Sequence, residues 1–465
     1  MNEMNHETLE TLGAVVESGR SLTTMQRRRF LQAALIAGAG TVVGVAGPSL
    51  LPSVAQAQSS STDTILVTVT LGGGNDGLNT LGPFGNGNYR DLRGPVAINE
   101  GSAHSGPNGL SWHPSLRRLA TRYRRGDVAV VDGLGNPTRD LSHFSCMATW
   151  QAGNAGNALP TGWLGRWLDT VNTGEFGGVS IGGRGVPLQL RANQTDVTDL
   201  PTSGGGALYG ADRSDERDNT MYRAIDQMRN ADASPWVNEV GLVNAQSIES
   251  ARAVSGAFAT DLPEASRVLT DLVLAARLIN LNLGTRVLNV AQTGYDTHDN
   301  QVDSNSSEGT HADLLSDLDV ALDSFFSTLN AQMAERVVVL VFSEFGRRAA
   351  ANGSRGTDHG TSSKAFLIGR RVRGGLYGDT PSLRNLDDRG NFDVTVDFRE
   401  MYSSVLRQVL GSESQQILGQ SFQSVGELIG SVDDDVSSID ERVAKIQGRR
   451  RSNAEDYLLD RAPTF

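Results

Sequence analysis

The sequence predicts an α/β protein in which helices cover both faces of a doubly wound, mostly parallel sheet. Short apolar runs rich in β-branched residues, such as Val337 to Phe342, are typical of strands buried on both faces. Amphipathic segments at helical spacing alternate with these runs, as the crossovers of a parallel sheet require. Polar side chains follow several of the runs, where open α/β sheets bind their ligands.

The N-terminal residues 1–57 predict an export signal. Arg27 to Leu31 contains a twin arginine followed by Phe-Leu, the signature of the twin-arginine route. A weakly apolar stretch follows, and Ala55 to Ala57 fits the small-x-small cleavage rule. Because Gly residues and Pro48 interrupt the stretch, we expect cleavage near Ala57 and no stable membrane span. A periplasmic or secreted protein follows, with the twin-arginine translocase as its partner during export.

We predict one large α/β domain over residues 58–430, although the length of the chain would also suit two ordinary domains. The chain has 465 residues, enough for a substantial core. The polar residues 193–261 indicate an insertion over one rim of the sheet, and the charged residues 431–465 indicate a mobile tail or a late docking helix. The single Cys146 excludes an internal disulfide. A net charge of −12 argues against nucleic-acid binding, which needs clustered Lys and Arg.

The first half of the domain contains two predicted strands. Both are short apolar runs, Thr64 to Leu71 and Asp127 to Val131. The helices of this half are expected at Pro114 to Arg125, from Ser142 to about Gly153, at Gly162 to Asp169 and at Tyr222 to Arg229.

The second half alternates helices and strands. Apolar residues at helical spacing, such as Leu315, Leu318 and Leu322, indicate helices that pack on the sheet. The helices are expected at Glu264 to Leu283, His311 to Met333, Asp397 to Leu410 and Gln415 to Ile429. The strands are expected at Arg286 to Ala291, Val337 to Phe342 and Ala365 to Gly369, with a loop joining the last two.

Carboxylate and imidazole side chains follow several of these strands. Collected on one edge of the sheet, they are what a divalent cation needs, although Zn, Mg, Mn and Ca stay open. For Asn75 and Asp76, an Asx turn is the alternative. The candidate metal ligands are Asp76, Asp296, His298, Glu344, Asp358 and His359.

Ser142 and His143 form a second candidate feature, at the start of a predicted helix. A hydroxyl there caps the helix more often than it attacks a substrate. The same position has free N–H groups that suit an incoming phosphate or sulfate. His143 fits a site residue and a packed core histidine equally well.

Six segments of the chain resemble the bacterial domain of unknown function 1501 family. They are LGGGNDGLNT, the Ser-His-Phe segment, TGWLGRWLD, GYDTH, VFSEFGRR and GTDHG, within Thr64 to about Leu410. That family is grouped with the alkaline phosphatase, sulfatase and phosphoglycerate mutase superfamily. The resemblance implies an alkaline phosphatase-like α/β/α sandwich that carries a two-metal site and a hydroxyl nucleophile.

The resemblance also implies roles for single residues. Asp76 takes the place of the first metal ligand, and Ser142 that of the nucleophile, with Thr138 and Ser145 as rivals. Asp296 and His298 stand for an Asp/His pair that is usually four residues apart, whereas here it is two apart. Ser343-Glu344 replaces an Asp-His, and His359 is the final histidine. The sulfatase Cys-x-Pro-x-Arg segment is missing.

These roles favour an exported metal-dependent hydrolase of a phosphate or sulfate ester, on a small molecule or a polymer. Asn75, Arg347 and Arg348 would hold the substrate anion, and surface pairing with acidic neighbours is the alternative for the arginines. A non-catalytic envelope-binding protein of the same fold is the second hypothesis, motivated by the irregular ligand spacing and by Glu344. A phosphomutase or transferase would need a cap domain, for which residues 193–261 lack strand patterning.

Overall fold

The computed structural model describes residues 64–156, 159–202, 238 and 249–430. The strands are β1 (Ile65–Gly72), β2 (Leu81–Gly82), β3 (His104–Ser105), β4 (Ser111–Trp112), β5 (Val128–Gly135), β6 (Gly178–Ile181), β7 (Thr198–Leu200), β8 (Val287–Thr293), β9 (Val337–Phe342), β10 (Gly346–Ala351), β11 (Thr357–Gly360), β12 (Ser362–Ile368), β13 (Gly375–Tyr377) and β14 (Val396–Asp397). The α-helices with described bounds are α1 (Gly77–Thr80), α2 (Gly87–Arg93), α3 (Arg117–Arg124), α4 (His143–Ala152), α5 (Trp163–Leu168), α6 (Arg267–Asn280), α7 (Thr310–Thr328), α8 (Ala331–Ala334), α9 (Phe398–Gln408) and α10 (Ser414–Leu418).

Within the described residues, nine strands form one central sheet in the order β13-β5-β12-β9-β1-β8-β6-β7, with β14 also paired to β5. Strand β12 is antiparallel to both of its neighbours. The other pairings in this sheet are parallel. The predicted large, mostly parallel sheet is therefore confirmed, and β5, β8 and β9 all end at the same edge.

Helices cover both faces of this sheet. Successive side chains of a strand point to opposite faces. In β1, Val67 and Val69 belong to a core cluster that includes residues of α3, α6 and α7. Leu66 belongs to a second cluster, with residues of α4, α5, α9 and α10. Every residue of β9 is buried, which explains its uninterrupted apolar sequence.

The predicted helices and loops differ from the structure at three places. The helix expected at His311 to Met333 is interrupted after Thr328, because Leu329 adopts an extended conformation, and α8 begins only at Ala331. The helix expected at Gln415 to Ile429 ends at Leu418, because Gly419 adopts the left-handed conformation (φ 77°) that terminates helices. The loop expected between β9 and β12 contains an antiparallel ribbon of β10 and β11. Its alternation of Arg, Gly and small residues has none of the apolar patterning that indicates a strand, so the sequence signal was absent.

Several predicted segments lie outside the described residues. These are the export signal (residues 1–57), the helix at Tyr222 to Arg229 and the tail (residues 431–465). Within the predicted insertion, β7 adds an edge strand that pairs in parallel with β6. Across the part of the chain that the structure describes, no helix combines the length and apolarity that a bilayer span requires.

Candidate metal centre

The carboxyl edge of the sheet brings together residues that are far apart in the sequence. His143 opens α4, shortly after β5 ends. Asp296 and His298 follow β8, and Glu344 follows β9. The β10–β11 ribbon adds a further pair, Asp358 and His359, from β11. Because the parallel strands end at one edge, their terminal loops meet there.

The carboxylate of Asp296 lies at the centre of three imidazoles. Its Oδ2 is 3.3 Å from Nε2 of His143. Its Oδ1 is 3.2 Å from Nε2 of His298 and 3.0 Å from Nε2 of His359. Ligand atoms of His143, Asp296 and His359 all lie within 4.8 Å of one another. The Nε2 atoms of His298 and His359 are 2.8 Å apart, so the His298 ring lies next to these three residues.

A separate acceptor faces the other ring nitrogen of each histidine. Nδ1 of His143 is 2.9 Å from Oε1 of Glu344, and Nδ1 of His298 is 3.2 Å from Oδ1 of Asp358. Nδ1 of His359 is 2.9 Å from the carbonyl oxygen of Leu141. If each Nδ1 carries the proton, it donates a hydrogen bond to its acceptor. The Nε2 lone pair of each ring is then free to coordinate a metal ion.

The groups present fit a divalent cation. Nε2 of His143 is buried and has no hydrogen-bond partner among the described residues, as expected for a nitrogen that coordinates a cation. Burial opposes ionisation of Asp296, but its contacts with the His359 ring and with the Arg347 guanidinium outweigh burial and lower its pKa to about 2. Burial and the Arg347 charge also lower the pKa of His359. At neutral pH the carboxylate is therefore ionised and this imidazole is neutral, the forms that bind metals.

Glu344 connects the centre to the glycine loop after β1. Its side chain is 2% exposed, and its Oε1 also accepts from the backbone N–H of Gly73 at 2.9 Å. Its Oε2 accepts from the hydroxyl of Ser343 at 3.0 Å. The ring of Phe345 packs against His143 and His359, with centroids 4.9 and 4.5 Å away. This support restricts the orientation of both imidazoles.

The structure does not place Asp76, a predicted metal ligand, in the cluster. Its buried carboxylate accepts two hydrogen bonds from Arg93, at 2.6 and 2.9 Å, and one from Gln301 at 2.7 Å. It also caps α1 through the N–H of Asn79. None of these partners belongs to the cluster. The neighbouring Asn75 is buried against Thr80 and His311, so it does not face a substrate anion either.

Arg347 also departs from its predicted role. Its side chain is fully buried and donates to Asp296 and to four backbone carbonyls, those of Gly73, Gly74, Tyr295 and Thr357. Its guanidinium is thus held by the protein and is not available to a substrate anion. The side chain of Arg348 is 38% exposed and lies 3.8 Å from Asp358, so it keeps an accessible cationic head near the cluster.

The three candidate hydroxyls differ in their surroundings. Ser142 is exposed at the N-cap of α4, and its side chain makes no capping bond among the described residues. The hydroxyl of Ser145 donates to the carboxylate of Asp140. Thr138 is exposed in the turn that precedes the helix. Cys146 is buried, donates to the Glu344 carbonyl, and has a pKa that burial raises to about 12, so its thiol is not a nucleophile.

Sequence reasoning missed the groups that hold the ligands. The carbonyl of Leu141 and the N–H of Gly73 are backbone groups, which leave no signature in a sequence. Asn352 donates to the carbonyl of His298 and to Oδ1 of Asp358. Its hydrogen bond is the main cause that lowers the pKa of Asp358. A lone Asn in a polar loop carries no signal of such a role.

An open cleft of about 480 Å³ reaches the cluster from solvent. His143, Asp296 and Glu344 line its floor, and Met147 and Leu188 line its wall. Phe144, at its rim, has a side chain that is 91% exposed. A small ester or the end of a polymer could therefore reach the candidate ligands.

The fold and the site define a mostly parallel α/β protein with a candidate metal centre of histidine and carboxylate groups. The chain belongs to the family described as "Protein of unknown function (DUF1501)", whose model matches residues 127–430. This match confirms the family resemblance of the sequence. No curated protein matches the chain.

Several solved structures show weak similarity to this chain, and three of them illustrate its extent. Ps i-CgsB in complex with k-i-k-neocarrahexaose has a TM-score of 0.36 at 10% identity and covers 77% of this chain and 75% of that chain. The C-terminal periplasmic domain of EcEptC from Escherichia coli, in complex with Zn, has a TM-score of 0.35 at 10% identity, with 80% and 90% covered. A Bacteroides thetaiotaomicron protein of glycosaminoglycan metabolism has a TM-score of 0.36 at 9% identity, with 75% and 73% covered. These values are too low to assign an activity to this chain.

Proposed function

We propose that this protein is an exported hydrolase of a phosphate or sulfate ester that depends on a divalent metal ion. The observation that carries the proposal is the convergence of three Nε2 atoms on the carboxylate of Asp296, with each Nδ1 held by its own acceptor. Imidazole ligands favour zinc and other transition metals over magnesium or calcium. When bound, such an ion supplies Lewis-acid polarisation of an ester oxygen.

The protein's own groups divide the remaining work. Ionised Asp296 and the imidazoles of His143 and His359 hold the cation, while Glu344 orients His143. Ser142 is the proposed nucleophile, because its hydroxyl is exposed beside His143 and is not engaged in a cap. Arg348 is the proposed contact for the non-reacting oxygens of the anion, since its guanidinium remains accessible.

Metal analysis and ester turnover test the centre. The purified chain is stripped with a chelator, reloaded with Zn, Mn, Mg or Ca, and assayed on p-nitrophenyl phosphate and p-nitrophenyl sulfate. Asp296→Asn and His359→Ala should lose bound metal and more than about 100-fold in kcat/KM. The matched control is His104→Ala, a partly exposed histidine outside the cluster. A wild-type chain that binds no metal and turns over neither ester contradicts the proposal.

The nucleophile has its own test. Ser142→Ala should reduce kcat by about 10³-fold or more while metal content stays the same. Ser145→Ala is the matched control on the same helix, because its hydroxyl is held by Asp140. If Ser142→Ala is as active as the Ser145→Ala control, the attacking group is water and not Ser142.

A non-catalytic envelope-binding protein is the second candidate function. The observation that favours it is the commitment of Asp76 and Arg347, two groups expected at a catalytic site, to contacts within the protein. This function is supported over the hydrolase if the wild-type protein binds metal but hydrolyses neither ester. The Ser142→Ala variant should then match the wild type in metal binding and in stability.

A further inference from the structure

A second cavity, of about 410 Å³, lies apart from the candidate metal centre. It is bounded by α1, by the loops before α2 and β4, by the start of β12 and by the loop after β13. Of the groups that surround the metal centre, only Arg347 reaches its wall. Its volume is in the range of small-molecule pockets, about 300–1,000 Å³.

A buried ion pair lies at the floor of this cavity. Lys364 of β12 is only 7% exposed, and its Nζ donates to Oδ1 of Asp132 on the neighbouring β5 at 2.6 Å. The carboxylate of Asp132 has two more donors, the N–H of Gly133 at 2.8 Å and the hydroxyl of Thr380 at 2.9 Å. Asp132 is therefore satisfied by its neighbours.

The ammonium of Lys364 is not satisfied in the same way. It has three N–H donors, and Asp132 is its one acceptor in the described part of the chain. Two donors are left for the cavity, and buried donors without acceptors are costly. A ligand that fits this cavity should therefore accept hydrogen bonds from the two remaining N–H groups of Lys364.

The charges around the cavity limit the charge of that ligand. Lys364 is balanced by Asp132, and Arg347 by Asp296 outside the cavity. Arg384, exposed at the rim, forms no ion pair within the described residues and leaves one positive charge unmatched. A monoanion matches this surplus, whereas a dianion would exceed it.

We infer that this cavity binds a small organic monoanion, a carboxylate or a sulfate monoester carried on a ring-sized apolar body. The anionic group accepts from the free N–H groups of Lys364 and faces Arg384. The body packs against the apolar side chains of the wall, which include Leu78, Leu110 and Phe392. This inference does not depend on the proposed hydrolase.

Calorimetric titration of the full chain at pH 8 tests the inference. A chelator is present throughout, so that no anion can coordinate a metal ion at the histidine cluster. Benzoate and phenyl sulfate are the two monoanionic probes, benzyl alcohol is the neutral analogue and phenylphosphonate the dianionic one. At least one monoanion should bind about tenfold or more tightly than benzyl alcohol and phenylphosphonate. Benzoate binding assigns a carboxylate, and phenyl sulfate binding assigns a sulfate monoester.

Variants then locate the bound probe. Asp132→Asn combined with Lys364→Met removes both buried charges together, so that neither is left unpaired, and should abolish binding. Arg384→Gln should weaken binding roughly three- to tenfold, whereas Arg389→Gln, an exposed arginine of the same loop outside the lining, should not change it. The inference is overturned if neither monoanion binds, if binding survives the double variant, if phenylphosphonate binds as tightly, or if the two arginine variants behave alike.

Discussion

Arg347 links three segments at the candidate metal centre, and its replacement by lysine tests that role. Its Nε donates to the carbonyl of Gly74 at 2.6 Å, and its Nη1 to that of Thr357 at 2.7 Å. Its Nη2 donates to the carbonyl of Tyr295 at 2.9 Å, to Oδ1 of Asp296 at 2.8 Å and to the carbonyl of Gly73. The glycine loop after β1, the loop after β8 and strand β11 are therefore joined through one side chain.

The cost of Arg347→Lys follows from the number of contacts that lysine cannot make. An ammonium has three donors on one atom, whereas the guanidinium donates from three nitrogens in a rigid fork. At least two of the five contacts are lost, and each buried carbonyl left unpaired costs about 1–3 kcal/mol. Because the side chain of Asp296 is 47% exposed, its ion pair adds little. We expect the free energy of unfolding to fall by about 3–5 kcal/mol.

Urea denaturation followed by tryptophan fluorescence measures this change. The matched control is Arg348→Lys, one residue along the same strand, whose side chain is 38% exposed. Its free energy of unfolding should stay within about 0.5 kcal/mol of the wild type. The reasoning is refuted if Arg347→Lys keeps the wild-type stability but the metal-loaded variant loses affinity for phenylphosphonate. Arg347 would then bind the substrate anion, as first predicted.

Three further predictions concern the centre and the buried network beside it. Glu344→Gln removes the charge behind Nδ1 of His143, so zinc affinity in a chelator competition should fall about 10- to 100-fold; an unchanged affinity would show that His143 is not a ligand. Asp76→Asn breaks the buried pair with Arg93, so the free energy of unfolding should fall by about 3–5 kcal/mol while bound metal per chain stays constant; loss of metal would make Asp76 a ligand after all. Burial lowers the pKa of His311 from 6.5 to about 4, so the folded ring is neutral where the unfolded ring takes up a proton. The stabilisation from the neutral ring is complete above pH 6.5 and falls by about 2 kcal/mol between pH 7 and pH 5. Urea denaturation at both pH values should show a smaller decrease in the free energy of unfolding for His311→Gln than for the wild type. An equal decrease would exclude His311 as a source of this pH dependence.

Much of the fold was accessible from local patterns. The runs that became β1 and β9 are apolar at successive positions because both faces of their sheet are covered. The same patterns placed His143, Asp296 and Glu344 after strands, and parallel strands bring such positions to one edge. The short ribbon of β10 and β11 escaped prediction because it packs no continuous apolar face.

The pairing of the polar groups could not be deduced in this way. Asp76 and Asp296 both follow a strand and are chemically identical, yet one is taken up by Arg93 and the other lies among three imidazoles. Asp132 and Lys364 likewise give no sign that they meet at the floor of a cavity. Side-chain periodicity is a property of neighbouring residues, so the sequence reveals which positions are buried and where strands end. The partner of a buried charge depends on how segments pack against each other in three dimensions, whether they are 17 residues apart, as for Asp76 and Arg93, or 232 residues apart, as for Asp132 and Lys364.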